Sequence, residues 1–331
     1  TSRLGAAGGP PPRPRAPGPD APHPPASPPV TGTPSCRAAI AHHLRERWGA
    51  SGLDDGAVLP VIGTKELVGW LPTFLGLGAD DVVVFPEQAY PTYEIGALAR
   101  GARPLPCDDP AAWPEGTRLA WINSPANPTG RIMGEDELCA ALARARALGA
   151  VLASDECYGE FAWDREAVSV LDDRICAGDH TGLLAVHSVS KRSNAAGYRA
   201  GFVAGDRDLV EGILHLRKHL GMMVPAPVQA ALAALLGDRE HVEAQRARYL
   251  ARRASLRAAL VGAGFRIDDS EGGLYLWATR GEECRATVAW LAERGILVAP
   301  GDFYGVRARQ HVRVALTAPD ERIAEACARL A

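Results

Sequence analysis

Lysine is nearly absent from this 331-residue chain. It occurs at Lys65, Lys191 and Lys218 only, within a total of 36 lysines and arginines. Arginine carries positive charge almost everywhere, so a retained lysine points to a need for a primary amine. No excess charge of either sign is present: the net charge is -3 and the isoelectric point near 6.3. That balance gives no footprint for nucleic acid or another polyanion. No apolar run approaches the length of a membrane span. No C-x-x-C pair occurs among the seven cysteines, whose odd number suits unpaired thiols in a reducing cytoplasm. The start lacks the charged-then-apolar order of a secretion signal. No internal repeat is visible, and no metal is expected.

What is present is globular in composition, 47% hydrophobic and 23% charged. The length allows two domains. Residues 1–30 are rich in Pro, Gly, Ala and Arg without periodicity, which predicts a segment unable to bury a core alone. Residues 31–236 alternate short apolar strands with helices. Helices are predicted over 35–48 with Ser35 as cap, 63–75, 93–100 and 135–148. Strands are predicted over 82–85, 119–123, 151–155, 182–187 and 200–204. This alternation predicts an α/β fold with a mostly parallel sheet covered on both faces. A long helix, 241–261, leads into residues 237–331. There, strands over 265–267, 274–277, 296–298 and 312–314, with helices over 284–294 and 320–330, predict a smaller α+β C-terminal domain.

Lys191 directly follows the apolar strand that begins at Gly182. Ser188 and Ser190 precede it and Arg199 follows. An amine suited to Schiff-base chemistry, beside groups that can hold a phosphate, suggests pyridoxal 5′-phosphate. Other strand ends are polar too, as a site at the carboxyl edge of an open sheet requires. Asn123 to Gly130 reads N-S-P-A-N-P-T-G. Asp155 to Tyr158 reads D-E-C-Y. Gly63, Thr64 and Lys65 open a helix, where free N–H groups and the helix dipole suit an anion.

In this order, these motifs resemble those of the class I/II aminotransferases of the aspartate aminotransferase superfamily. That family shows an N-P-x-N-P-T-G loop, a D-x-x-Y strand end and an S-x-S-K segment with an arginine eight residues after the lysine. The resemblance covers about residues 31–331 and implies the pyridoxal-phosphate-dependent transferase fold. It implies Lys191 as the covalent anchor and proton carrier, Asp155 as partner of the pyridine nitrogen, and Tyr158 with Asn127 on the ring oxygen. Gly63, Thr64, Lys65, Ser188 and Arg199 would hold the phosphate, Tyr90 would stack on the ring, and Arg313 would grip the substrate carboxylate.

Further stretches, among them Val61 to Leu67, Gly221 to Gln229 and Gly273 to Trp277, are similar to actinobacterial succinyldiaminopimelate aminotransferases. That implies amino transfer between N-succinyl-LL-2,6-diaminopimelate and 2-oxoglutarate in lysine synthesis, by a homodimer. The succinyl end asks for a second polar patch, with Arg192, Lys218, His219 and Arg131 as candidates. The family's cross-subunit tyrosine falls near Ser27 here, inside the Pro-rich tract. Another amino-acid transaminase, a C–S lyase, a regulatory module and an inactive truncated paralogue are the alternatives.

Overall fold

The computed structural model describes residues 29–331. The expected aromatic position near Ser27 lies outside them. Seven strands form the main sheet: β1 (Val58–Val61), β2 (Val82–Phe85), β3 (Arg103–Pro106), β4 (Thr117–Asn123), β5 (Val151–Asp155), β6 (Leu183–Ser188) and β7 (Gly201–Gly205). Their order is β1-β7-β6-β5-β4-β2-β3. Pairing from β6 through β5, β4 and β2 to β3 is parallel, whereas β7 runs antiparallel to both β6 and β1. A mostly parallel sheet is thus present, as the alternation of strands and helices predicts.

Sequence periodicity does not reveal β1 and β3, and both lie at sheet edges. Each carries proline: Pro60 in β1, and Pro104 and Pro106 in β3. Proline cannot donate to a ladder and is tolerated at an edge. The same proline that makes a strand fit there erases its pattern in the sequence.

Helices cover both faces. On one, α1 (Pro34–Trp48) and α4 (Glu135–Leu148) pack against residues such as Ala120, Ile122 and Leu152. On the other, α2 (Thr64–Phe74) and α3 (Thr92–Arg100) pack against Leu119, Trp121 and Val203. Burial of a leucine or isoleucine there contributes about 1.5–3 kcal/mol. The N-cap of α1 is Thr33 rather than Ser35: its hydroxyl accepts from Cys36 N at 3.3 Å, with Pro34 in the first turn. A proline at that position loses no helical hydrogen bond.

Two short helices follow in the chain, α5 (Asp173–Cys176) and α6 (Val189–Arg192). The longer α7 (Arg207–His219), α8 (Ala226–Gly237) and α9 (Glu240–Gly262) lead to the second sheet. It contains β8 (Arg266–Asp268), β9 (Tyr275–Thr279), β10 (Ala299–Pro300) and β11 (His311–Ala315), all antiparallel in the order β10-β11-β9-β8. Helices α10 (Cys284–Glu293) and α11 (Asp320–Leu330) pack on it with α9 around Leu256, Leu276 and Leu291. The strand expected over 296–298 is instead an unpaired approach to β10, with Leu297 88% exposed between half-buried Ile296 and Val298.

A seam joins the two sheets. Ser270 N donates to Thr129 O at 2.9 Å, and Gly272 N to Gly130 O at 2.7 Å. At Gly130, φ is +73°, and a side chain there would strike the Gly272 carbonyl and Ser270. Glycine is required on both counts.

Candidate active site

The carboxyl ends of β4, β5 and β6 face one cavity of about 530 Å³, closed on the far side by β9 and β11. Of the residues that the resemblance assigns to the cofactor and the substrate carboxylate, all but Gly63 line it. Gly63 lies just behind, at φ +73°, and its missing side chain leaves space occupied by the Arg199 guanidinium. The helix α2 begins at the next residue, so its free N–H groups open toward this wall.

Lys191 lies in α6, three residues beyond the end of β6. Ser188 starts that helix, its hydroxyl accepting from Ser190 N at 3.1 Å. Burial lowers the Lys191 amine below its ordinary value. The Cys157 sulfur opposes the shift, while Arg313, Arg199 and Lys65 reinforce it. A larger neutral fraction makes the amine a better nucleophile near neutral pH.

Asp155 ends β5 and is 7% exposed. Its Oδ2 accepts from Tyr93 Oη at 2.8 Å and its Oδ1 from Cys157 N at 3.2 Å. Burial pushes this carboxyl above the usual range, and those hydrogen bonds pull it back. Both partners are neutral donors, so a protonated ring nitrogen would supply the charge that a buried carboxylate needs. The site therefore fits pyridoxal phosphate: an amine for its aldehyde, a carboxylate for its nitrogen, and a helix start with hydroxyls and Arg199 for its phosphate.

Arg313 lies on β11, its Nη1 donating to Asn127 Oδ1 at 2.7 Å. Its guanidinium carbon stands 4.0 Å from the centre of the Tyr275 ring and 5.1 Å from that of Tyr304. Two aromatic faces hold the fork in plane without consuming its donors, which suits carboxylate pairing. Asn123 supports the neighbouring loop: its side chain donates to Asp155 O at 2.7 Å and accepts from Asn127 N at 2.7 Å. Lys65 Nζ is 5.6 Å from the Tyr90 ring centre.

The four cations considered for a distal substrate group do not gather. Arg192 is 4% exposed and committed to Glu160 and to the carbonyls of Leu236 and Asp238. Lys218 and His219 are exposed at the end of α7, away from the cavity lining. Arg131 pairs with Glu137 and lines a second cavity of about 420 Å³, which shares Asn123 with the first. That cavity also presents Asp108, Asp269, Trp113 and Trp121.

Sequence reasoning passes over Tyr93 and Tyr275. Tyr93 sits in the first turn of α3, and its ring meets that of Tyr90, which precedes the helix, at 6.0 Å. Tyr275 shares its face of the small sheet with Arg313, because Ala315 pairs with Tyr275 and Arg313 with Trp277. Only strand pairing reveals that.

The aminotransferase class I and II family profile matches residues 25–330. A probable aminotransferase of Mycobacterium tuberculosis is 57% identical, over 92% of this chain and 73% of its own. The 4-dedimethylamino-4-oxo-anhydrotetracycline transaminase of Streptomyces rimosus is 56% identical, over 92% and 85%. Among solved structures, the N-succinyldiaminopimelate aminotransferase of M. tuberculosis superposes with a TM-score of 0.83 at 27% identity, covering 92% of this chain and 85% of that one. The chain belongs to the class I and II aminotransferases, has the aspartate aminotransferase fold, and is a pyridoxal-phosphate-dependent enzyme.

Proposed function

We propose that this aminotransferase exchanges an amino group between N-succinyl-LL-2,6-diaminopimelate and 2-oxoglutarate, and that it serves lysine synthesis in the cytoplasm as a homodimer. Pyridoxal phosphate, when bound, supplies an aldehyde that condenses with amines and a ring that draws electrons from the substrate α-carbon. Lys191 would hold its aldehyde carbon, and the same amine, set free, would carry a proton to and from the substrate α-carbon. Asp155 keeps the ring nitrogen protonated, and Tyr93 keeps Asp155 oriented. Asn127 and Tyr158 donate to the ring oxygen, and Tyr90 covers the ring. The N–H groups from Gly63 to Lys65, with Ser188 and Arg199, hold the phosphate. Arg313 takes the α-carboxylate of either substrate, exchanging its bond to Asn127 for a paired one.

The convergence of Lys191, Asp155 and Arg313 on one cavity carries the transamination chemistry. The donor is supported by the sequence stretches similar to succinyldiaminopimelate aminotransferases and by the M. tuberculosis neighbour of that name. Purified protein given succinyl-diaminopimelate and 2-oxoglutarate should form glutamate. Borohydride should bleach the visible band and add the cofactor's mass at Lys191. No glutamate, with that adduct present, removes the donor but keeps the anchor.

A second reading has its own support. The second cavity is walled by Trp113 and Trp121, its Arg131 is already paired with Glu137, and Asp108 and Asp269 oppose another carboxylate. Those walls suit a large, ring-containing substrate better than a succinyl tail, and the S. rimosus relative is named for a tetracycline. Turnover of a polycyclic ketone with an amino donor, exceeding turnover of succinyl-diaminopimelate, would select this reading.

A further inference from the structure

Tyr158 and Tyr275 form a closed pair of phenols. Their hydroxyls hydrogen-bond each other, with the rings edge to face at 5.5 Å. Both residues are 7% exposed. Neither hydroxyl has another hydrogen-bond partner among the described residues. Burial raises both phenols above their ordinary range, so both remain protonated where the enzyme works. The pair therefore offers two protons, and Tyr158 can use only one toward the cofactor.

We propose that Tyr275 is a positioning residue: its hydroxyl donates to Tyr158 Oη and so commits the Tyr158 proton to the ring oxygen of pyridoxal phosphate. The inference rests on the placement of Tyr158 against that oxygen and on no choice of amino donor. A hydroxyl that accepts one hydrogen bond becomes a stronger donor of its own. A better donor at the ring oxygen favours the form in which that oxygen is negative. The cofactor–lysine linkage then loses its proton at lower pH. Without the Tyr275 hydroxyl, Tyr158 keeps its ring and its place but loses the donor that orients it. The same Tyr275 ring lies under Arg313, so one side chain serves the ring oxygen through its hydroxyl and the carboxylate site through its face.

The test is a pH titration of the visible absorbance of the holoenzyme, with no amino acid present. Tyr275→Phe, which keeps the ring, should move the midpoint upward by roughly half to one pH unit, the size of one lost hydrogen bond. Tyr158→Phe should move it further. Adding Tyr275→Phe to Tyr158→Phe should then change nothing more, because the effect passes through Tyr158. An unmoved midpoint in Tyr275→Phe overturns the proposal. So does an equal shift on both backgrounds, which would mark a merely structural role. If Tyr275→Phe does not fold, the same cycle is run with 4-fluorophenylalanine at position 275, which keeps the ring under Arg313 and lacks the hydroxyl. Failure to turn over succinyl-diaminopimelate leaves this readout untouched, which separates the two proposals.

Discussion

Lys191 and Arg192 are adjacent in α6 and lead opposite lives. Lys191 faces the cofactor cavity, and its amine has no ion-pair or hydrogen-bond partner among the described residues. Arg192 turns to the other side, where Nε contacts Glu160 at 3.3 Å and the fork caps the last carbonyls of α8. Arg47 reaches the same Glu160 at 3.2 Å. His43 completes that cluster, and Trp48 Nε1 donates to its Nε2 at 3.2 Å. That nitrogen is therefore unprotonated, and burial, with His187 and nearby arginines, holds His43 down to about 2. Arg192, Arg47, Glu160 and His43 all find partners on this side, while the Lys191 amine on the other side has none among the described residues. Buried charge that is saturated stabilises a fold; buried charge left open serves chemistry.

Four substitutions probe that contrast. The largest effect is expected at Lys191→Ala: amino transfer should fall by roughly four orders of magnitude, with little change in the thermal midpoint. A variant that keeps activity would remove the cavity's claim to the chemistry. Arg192→Ala should do the reverse. Removing one member of a buried pair costs about 3–5 kcal/mol, readable in denaturant unfolding. The kcat of the protein that remains folded should change little. A stable but inactive Arg192→Ala would erase the distinction between the two sides.

Arg313→Ala comes next. Losing charged hydrogen bonds worth about 1.5–3 kcal/mol should raise KM for both substrates by roughly 10- to 100-fold, measured by steady-state kinetics. An unchanged KM would leave the carboxylate to another group. The smallest effect is expected at Tyr93→Phe. Its hydrogen bond holds the Asp155 carboxyl down against burial. In the role proposed for it Asp155 is ionised, so losing that bond should move the acidic limb of the kcat profile to higher pH. A limb that stays put, or moves down, would show that Tyr93 only fills space.

The sequence makes the gathering of the candidate site legible because strand ends expose short polar motifs at fixed spacings, and ten of the residues so named meet in one cavity. It also makes the central strands legible, since residues buried on both faces form apolar runs. Strands β1 and β3 are hidden by Pro60, Pro104 and Pro106. Residues 296–298 look like a strand, yet the chain pairs only at Ala299 and Pro300. Tyr93 and Tyr275 stay hidden because their value depends on what stands opposite them. The commitment of Arg192 is hidden for the same reason, since Glu160 and the end of α8 lie far away in sequence.

The glycine seam between the sheets has an evolutionary consequence. Because Gly130 and Gly272 meet backbone to backbone, mutation has little room to explore there without prising Arg313 away from Asn127. The rim, where Arg131 and Asp108 face open space, is under no such restraint. A lineage could thus retain one engine and refit its intake, and relatives with unlike names could descend from a single chassis.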